Sequence, residues 1–196
     1  MREYVVNLFE FARTGMIAEG DVPVQELPRM LTEVPAAVPV TERSTVVFHW
    51  RAQGFERSEH RADGGMAVRQ YLRLAVAGDM WLECQRCMTP YRHPMATETV
   101  FEVVRDEAQA DACLADDTLP EAIVGSANFD LIELVEEELL LALPLVPKHE
   151  VCPEVHVSLV TGPDGQAEPA EEDVQDKPSP FAALAALKRV PSDEGK

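Results

Sequence analysis

Two cysteines three positions apart, Cys84 and Cys87, and a histidine–cysteine pair far downstream, His149 and Cys152, constrain this chain more than any local propensity does. A tight turn lets Cys84 and Cys87 share one metal ion, and His149 and Cys152 are spaced to close a tetrahedral site around it. A site built that way pins two distant segments of one domain together. The donor set Cys, Cys, His, Cys is typical of structural zinc, and four protein ligands leave no position for water, so the expected role is structural and not catalytic. His156 is an alternative to His149 as the nitrogen ligand. Cys113 stands in an acidic stretch and reads as incidental.

Two other readings of the pair compete. A redox dithiol of the thioredoxin type needs its first cysteine at a helix N-terminus, where the dipole lowers the thiol pKa. Pro90, Pro94 and the alternation beyond them point instead to a strand. Simple burial fails for both cysteines at once, because positions 84 and 87 have opposite parity and would face opposite sides of a regular strand. Arg86 and Tyr91 beside a thiolate pair would offset part of its charge.

The chain of 196 residues suits one domain with appendages, or a small two-lobed body, and can bury a core. It has no run of about 18 apolar residues of the kind that spans a membrane. Glu3, Asn7 and Glu10 interrupt the place where a secretion signal needs an apolar run, so the expected location is the cytoplasm. In that compartment thiols stay reduced, which removes a disulfide framework from consideration. The sequence contains no glycine-rich phosphate loop, paired-histidine metal helix or nucleophile elbow, and His49, His60 and His93 are isolated. The expectation is a protein that is not an enzyme.

The net charge is −18, which opposes general electrostatic gripping of nucleic acid. The distribution is uneven. Residues 41–95 hold eight arginines and six acids, whereas residues 96–196 hold six bases and 23 acids. Arginine is the better planar partner for phosphate and for stacking on bases. The arginines of the first stretch are therefore either a strand surface balanced by local glutamates or a small face for RNA or a partner, with Arg69, Arg73, Arg86 and Arg92 as its candidates.

Periodicity divides the chain. Residues 1–40 hold small elements: Tyr4 to Ala12 reads as a strand or a helix, Val24 to Thr32 as a helix, and Pro35 and Pro39 mark a connector. Residues 41–160 form the core. Val46, Phe48, Trp50 and Ala52 alternate with polar neighbours as a half-buried strand does. A turn is expected at residues 62–65, a further reversal at Gly78-Asp79, and a strand from His93 to Val104. Residues 106–126 read as acidic and irregular. Asp130 is an N-cap with Glu133 three positions on, Leu131, Leu134, Val135, Leu139 and Ala142 make one apolar stripe, and Pro144 ends the helix. Glu136, Glu137 and Glu138 read as a solvated face. Residues 161–177 are an acidic linker without apolar period. Residues 178–190 form a short amphipathic helix, with Phe181, Leu184 and Leu187 apolar and Lys188 and Arg189 at its end, docking on its own sheet or on a partner. Residues 191–196 are a tail. The fold expected is α+β: an antiparallel β-meander covered by one main helix, with small N-terminal elements and a tethered C-terminal helix.

Three segments in order carry a resemblance: LECQRC at 82–87, DLIELVEEELLLALPLVP at 130–147 and KPSPFAALAALKR at 177–189. Together they resemble the bacterial YceD family, the large ribosomal RNA subunit accumulation proteins. The resemblance covers about residues 66–190. Relatives in that family carry further cysteines after the helix in a zinc-ribbon-like pattern, where this chain has only His149 and Cys152. The resemblance implies a non-enzymatic factor needed for 23S ribosomal RNA accumulation and large-subunit biogenesis. Its partners would be a large-subunit precursor or a ribosome-assembly protein, with 23S RNA contacted directly or indirectly and no membrane involved. The residues leave two alternatives open: a thiol-redox or zinc-handling protein, and an acidic mimic of nucleic acid that binds a basic assembly protein.

Overall fold

The period-two pattern that begins at Val46 becomes the middle of a five-stranded sheet. In the computed structural model, which describes residues 4–60, 65–114 and 120–153, the strands are β2 (Ile17–Pro23), β3 (Val47–His60), β4 (Met66–Glu83), β5 (Pro90–Val104) and β6 (Glu121–Val124). They lie in the order β2-β3-β4-β5-β6. All neighbours are antiparallel except β5 and β6, which run parallel. A separate two-stranded ladder joins β1 (Val5–Val6) to β7 (Phe129–Asp130). With helices α1 (Leu8–Thr14), α2 (Pro28–Glu33), α3 (Val40–Arg43), α4 (Glu107–Leu114) and α5 (Leu131–Leu141), the class is α+β as expected.

Alternation puts one face of the sheet inside. Phe48, Trp50 and Ala52 are buried, and in register with them on β4 lie Gly78, Val76 and Leu74. Leu8, Phe11 and Ala12 of α1 and Leu131, Leu134, Val135 and Leu139 of α5 join the same apolar cluster. Each of these larger side chains contributes roughly 1.5–3 kcal/mol by leaving water. The Asp130 side chain accepts from the N–H groups of Ile132 and Glu133 and so starts α5 at the expected residue.

Several expectations are corrected. Tyr4 to Ala12 is both a strand and a helix: Asn7 ends β1 and caps α1 through the N–H of Glu10 at 3.3 Å. The strand β2 was not anticipated at all. The stretch from Val24 is a 3-10 turn, Val24–Glu26, and then α2, with Pro28 as its first residue, where a missing N–H costs nothing. No reversal occurs at Gly78, because β4 runs unbroken through it. A Cβ at Gly78 would stand 2.6 Å from Phe48 Cδ1 and 2.8 Å from the Val47 carbonyl, so the glycine serves cross-strand packing and not a turn. The meander strands β3, β4 and β5 are longer than the alternation alone suggested. Residues 106–126 are not irregular throughout, since they contain α4 and β6. Glu136 and Glu138 are buried, and only Glu137 of that run is exposed. Glu136 accepts from the N–H groups of Arg29 and Met30, and Glu138 from Thr99 Oγ1, and these donors make burial of a carboxylate tolerable. Residues 62–64 of the turn expected at 62–65, the linker 161–177 and the segment with Phe181, Leu184, Leu187, Lys188 and Arg189 lie outside the described residues.

Candidate metal centre

The turn that joins β4 to β5 carries both cysteines. Glu83 pairs with Pro90 at the last rung, and the residues between them close on themselves: Cys84 N–H donates to the Thr89 carbonyl at 3.0 Å and Met88 N–H to the Cys84 carbonyl at 2.8 Å. Met88 adopts φ 58°, a left-handed conformation that lets so short a loop fold back. This turn overcomes the opposite parity of Cys84 and Cys87, and both side chains end up buried.

The chain returns to the turn after α5. Gln85 N–H donates to the Pro147 carbonyl at 2.9 Å, which docks the strip carrying His149 and Cys152. Cys84 Sγ then lies 3.7 Å from Cys152 Sγ, and Cys87 Sγ lies 3.3 Å from His149 Nδ1. All four donor atoms fall within 4.8 Å of one another. A zinc ion with Zn–S near 2.3 Å and Zn–N near 2.0 Å puts tetrahedral ligand atoms about 3.5–3.8 Å apart, so both short edges match a shared metal. The structure thus brings together Cys84, Cys87, His149 and Cys152, the set expected from sequence, in an arrangement that could hold a metal ion. His156 lies outside the described residues. Cys113 is elsewhere, on α4, its sulfur 4.0 Å from Glu102.

The electrostatics favour anionic sulfur at Cys84 and oppose it at Cys152. Burial pushes the Cys84 thiol up, but hydrogen bonds from the backbone N–H groups of His149, Cys87 and Arg86, and from the His149 side chain, outweigh it and bring the pKa down to about 5. Burial pushes Cys152 up. Arg86 pulls it down, and the sulfurs of Cys87 and Cys84 raise it again, with a net upward shift. Arg86 Nε donates to Cys152 Sγ at 2.9 Å while its Nη2 donates to the His149 carbonyl at 3.1 Å. One guanidinium therefore ties the charge of the centre to the backbone of its second half. Tyr91 packs on the His149 ring with centroids 4.7 Å apart, which fixes the imidazole.

The four arginines singled out for an RNA or partner face have different surroundings. Arg69 is held by Glu102 at 2.8 Å and Glu59 at 3.3 Å, Arg73 faces Glu98 at 3.6 Å, and Arg86 serves the sulfur centre. Arg92 is exposed, with its guanidinium 5.6 Å from the Trp81 ring centroid. Arg86 and Arg92 line one cleft with Tyr91, His93 and Lys148, beside the cysteine centre. His93 and Lys148 were not read as site residues. Lys148 had a signal in its place next to His149, whereas His93 gained its position only through the β4–β5 register.

The sequence profile of the family described as "Large ribosomal RNA subunit accumulation protein YceD" matches residues 72–188. The protein of Haemophilus influenzae that carries the same name is 40% identical over 113 residues, which amounts to 57% of this chain and 61% of that relative's length. The match thus spans less than two thirds of the relative. No solved structure matches.

Proposed function

This chain belongs to the YceD family of large ribosomal RNA subunit accumulation proteins, and from that premise we propose that it is a non-enzymatic cytoplasmic factor needed for 23S ribosomal RNA accumulation and large-subunit biogenesis. It binds or protects precursor RNA within a protein-containing particle. The observation that carries the reading is the family match over residues 72–188, which contains both halves of the cysteine centre and all of α5. In this reading Cys84, Cys87, His149 and Cys152 hold a structural zinc ion that ties the β4–β5 turn to the strip after α5. The net charge of −18 restricts direct RNA contact to a local cationic surface and gives protein contacts the rest of the work.

Burial argues for the structural use of the cysteines over the thiol-redox alternative. Cys84 is 0% and Cys87 6% exposed, whereas an exchanging thiol must meet its partner disulfide in line. The acidic-mimic alternative draws on a single fact, the 23 acids against six bases in residues 96–196, and predicts salt-sensitive binding to a basic protein without RNA.

Sedimentation of the endogenous-level protein through a lysate gradient, with and without ribonuclease, tests the proposal. Travel with large-subunit precursors and release by ribonuclease support it. Protein that stays at the top of the gradient in both conditions overturns RNA binding and puts the acidic mimic first.

A further inference from the structure

In a chain with 35 acidic and 17 basic residues, two cations without carboxylate partners in one cleft are informative. Among the described arginines, Arg13 is paired with Glu10, Arg29 with Glu136, Arg51 with Glu19, Arg69 with Glu102 and Arg73 with Glu98. Arg43 is held by the Val38 and Ala36 carbonyls, Arg57 lies over Phe55 and Tyr71, and Arg92 and Arg105 are exposed without an ion pair. A depression on the outer sheet face has its basic side chains paired with acids. It measures about 750 Å³, and its basic side chains Arg51 and His49 sit against Glu19 and Asp21.

The cleft beside the cysteine centre departs from it. It measures about 740 Å³ and is lined by Arg86, Arg92, Lys148, Tyr91 and His93, with Glu150 as its one acid. Among the described residues, Arg92 and Lys148 have no carboxylate within ion-pair distance, and both are exposed. Arg86 is already committed to Cys152 and the His149 carbonyl. With zinc bound, three thiolates leave the centre with one net negative charge, which Arg86 offsets, so the centre does not repel an anion placed next to it. Arg92 and Lys148 are then uncompensated.

Aromatic surface lies in the same place. Tyr91 is half-buried, with its ring 5.9 Å from that of His93, and the Arg92 guanidinium lies over Trp81. Cations that track a backbone, interleaved with rings and a guanidinium plane on which bases stack, are the elements by which proteins hold single-stranded nucleic acid. A concave cleft of this size admits a splayed nucleotide, whereas a duplex presents a broad convex backbone that it does not match.

We infer that this cleft is a single-stranded RNA site, in which Arg92 and Lys148 contact phosphate and Tyr91 and His93 offer stacking surface. The inference rests on the RNA-binding part of the proposed function and gives it a location. The rim of the cysteine centre thereby becomes the recognition surface, and a metal held by Cys84, Cys87, His149 and Cys152 would keep Lys148 and His149 against the β4–β5 turn.

The test measures fluorescence anisotropy of a short fluorescein-labelled oligouridylate with the full chain. Two double variants change the net charge equally: Arg92→Glu with Lys148→Glu in the cleft, and Arg57→Glu with Arg105→Glu at exposed positions outside it. All four substitutions are on exposed side chains, and retained thermal unfolding and zinc content show that each variant is folded. The expected result is at least tenfold weaker binding by the cleft variant, with a salt slope lower by about 0.7 for each lost phosphate contact, and a much smaller change in the control. Equal weakening in the two variants, or none in either, overturns the cleft site while wild-type binding keeps the RNA-binding reading intact. Absence of binding by the wild-type protein overturns both and leaves the cleft to an anionic protein segment.

Discussion

Arg29 donates twice to Glu136, from its backbone N–H at 2.6 Å and from Nε at 3.1 Å. The same carboxylate accepts from Met30 N–H at 3.1 Å, so a residue in the middle of α5 caps the N-terminus of α2. Leu27, at the N-cap position of α2, offers no side-chain acceptor. Removing the carboxylate strands two backbone N–H groups, one of them on buried Met30. Glu136→Ala is expected to cost about 2–4 kcal/mol, and Glu136→Gln, which keeps an acceptor oxygen, roughly half of that. Urea unfolding of the two variants against wild type measures both. Equal losses would mean that the negative charge of the carboxylate supports the helix end, and that neither side-chain packing nor a neutral acceptor oxygen does.

Gly54 and Gly20 separate two ways in which a strand uses glycine. A Cβ at Gly54 would stand 2.2 Å from the Phe11 carbonyl oxygen and 2.7 Å from Ala12 Cα, both backbone atoms of α1. The helix can approach β3 this closely only over a glycine. At Gly20 the nearest atom is the Tyr4 hydroxyl at 3.0 Å, the far end of a side chain. Gly54→Ala is therefore expected to lose about 3 kcal/mol or more, as an overpacked site that the backbone must yield to, and Gly20→Ala less than about 1 kcal/mol. Thermal unfolding of the pair checks the contrast.

What the sequence made legible follows the range of the forces involved. The alternation from Val46 to Ala52, the Asp130 cap and the apolar stripe of α5 are local signals, and each matches the structure. The cysteine centre was legible because metal chemistry restricts the donors to few residue types. Gly78-Asp79 misled because a glycine spared for Phe48 and a glycine needed for a turn look alike in one sequence. Glu136 and Glu138 misled for a related reason: three consecutive glutamates are ordinarily solvated, and the donors that permit their burial belong to α2 and β5. The partners of Arg69 and Arg73 were likewise hidden, since the β4–β5 register alone sets Glu102 and Glu98 beside them.

Metal removal has a predictable size. The sheet, α1 and α5 have an apolar cluster of their own, so chelation should loosen the β4–β5 turn and the strip around His149 without unfolding the domain. Zinc at about a thousandfold over its dissociation constant stabilises by about 4 kcal/mol, equivalent to roughly 8–16 °C for a chain of this size. Loss of that order on chelation, restored by one equivalent of zinc, is the expected outcome in thermal unfolding followed with metal analysis. Cys152→Ser should reproduce it and also leave Arg86 without its sulfur partner. Cys113→Ser should retain full zinc, because Cys113 lies outside the donor cluster.

Met88 gives an opposite expectation. It holds φ 58° in the turn after Cys87, and its side chain is 62% exposed, so it accepts the left-handed penalty without packing in return. That penalty is roughly 1–2 kcal/mol for a residue with a Cβ, and glycine avoids it while adding entropy to the unfolded chain. Met88→Gly should therefore be neutral or stabilising by up to about 1 kcal/mol, although the same substitution at a regular strand position destabilises. Because the turn presents Cys84 and Cys87, the variant should bind zinc at least as tightly as wild type in a competition titration with a chromophoric chelator. A clear loss of both stability and affinity would show that Met88 makes a contact through its side chain that outweighs the strain of its backbone.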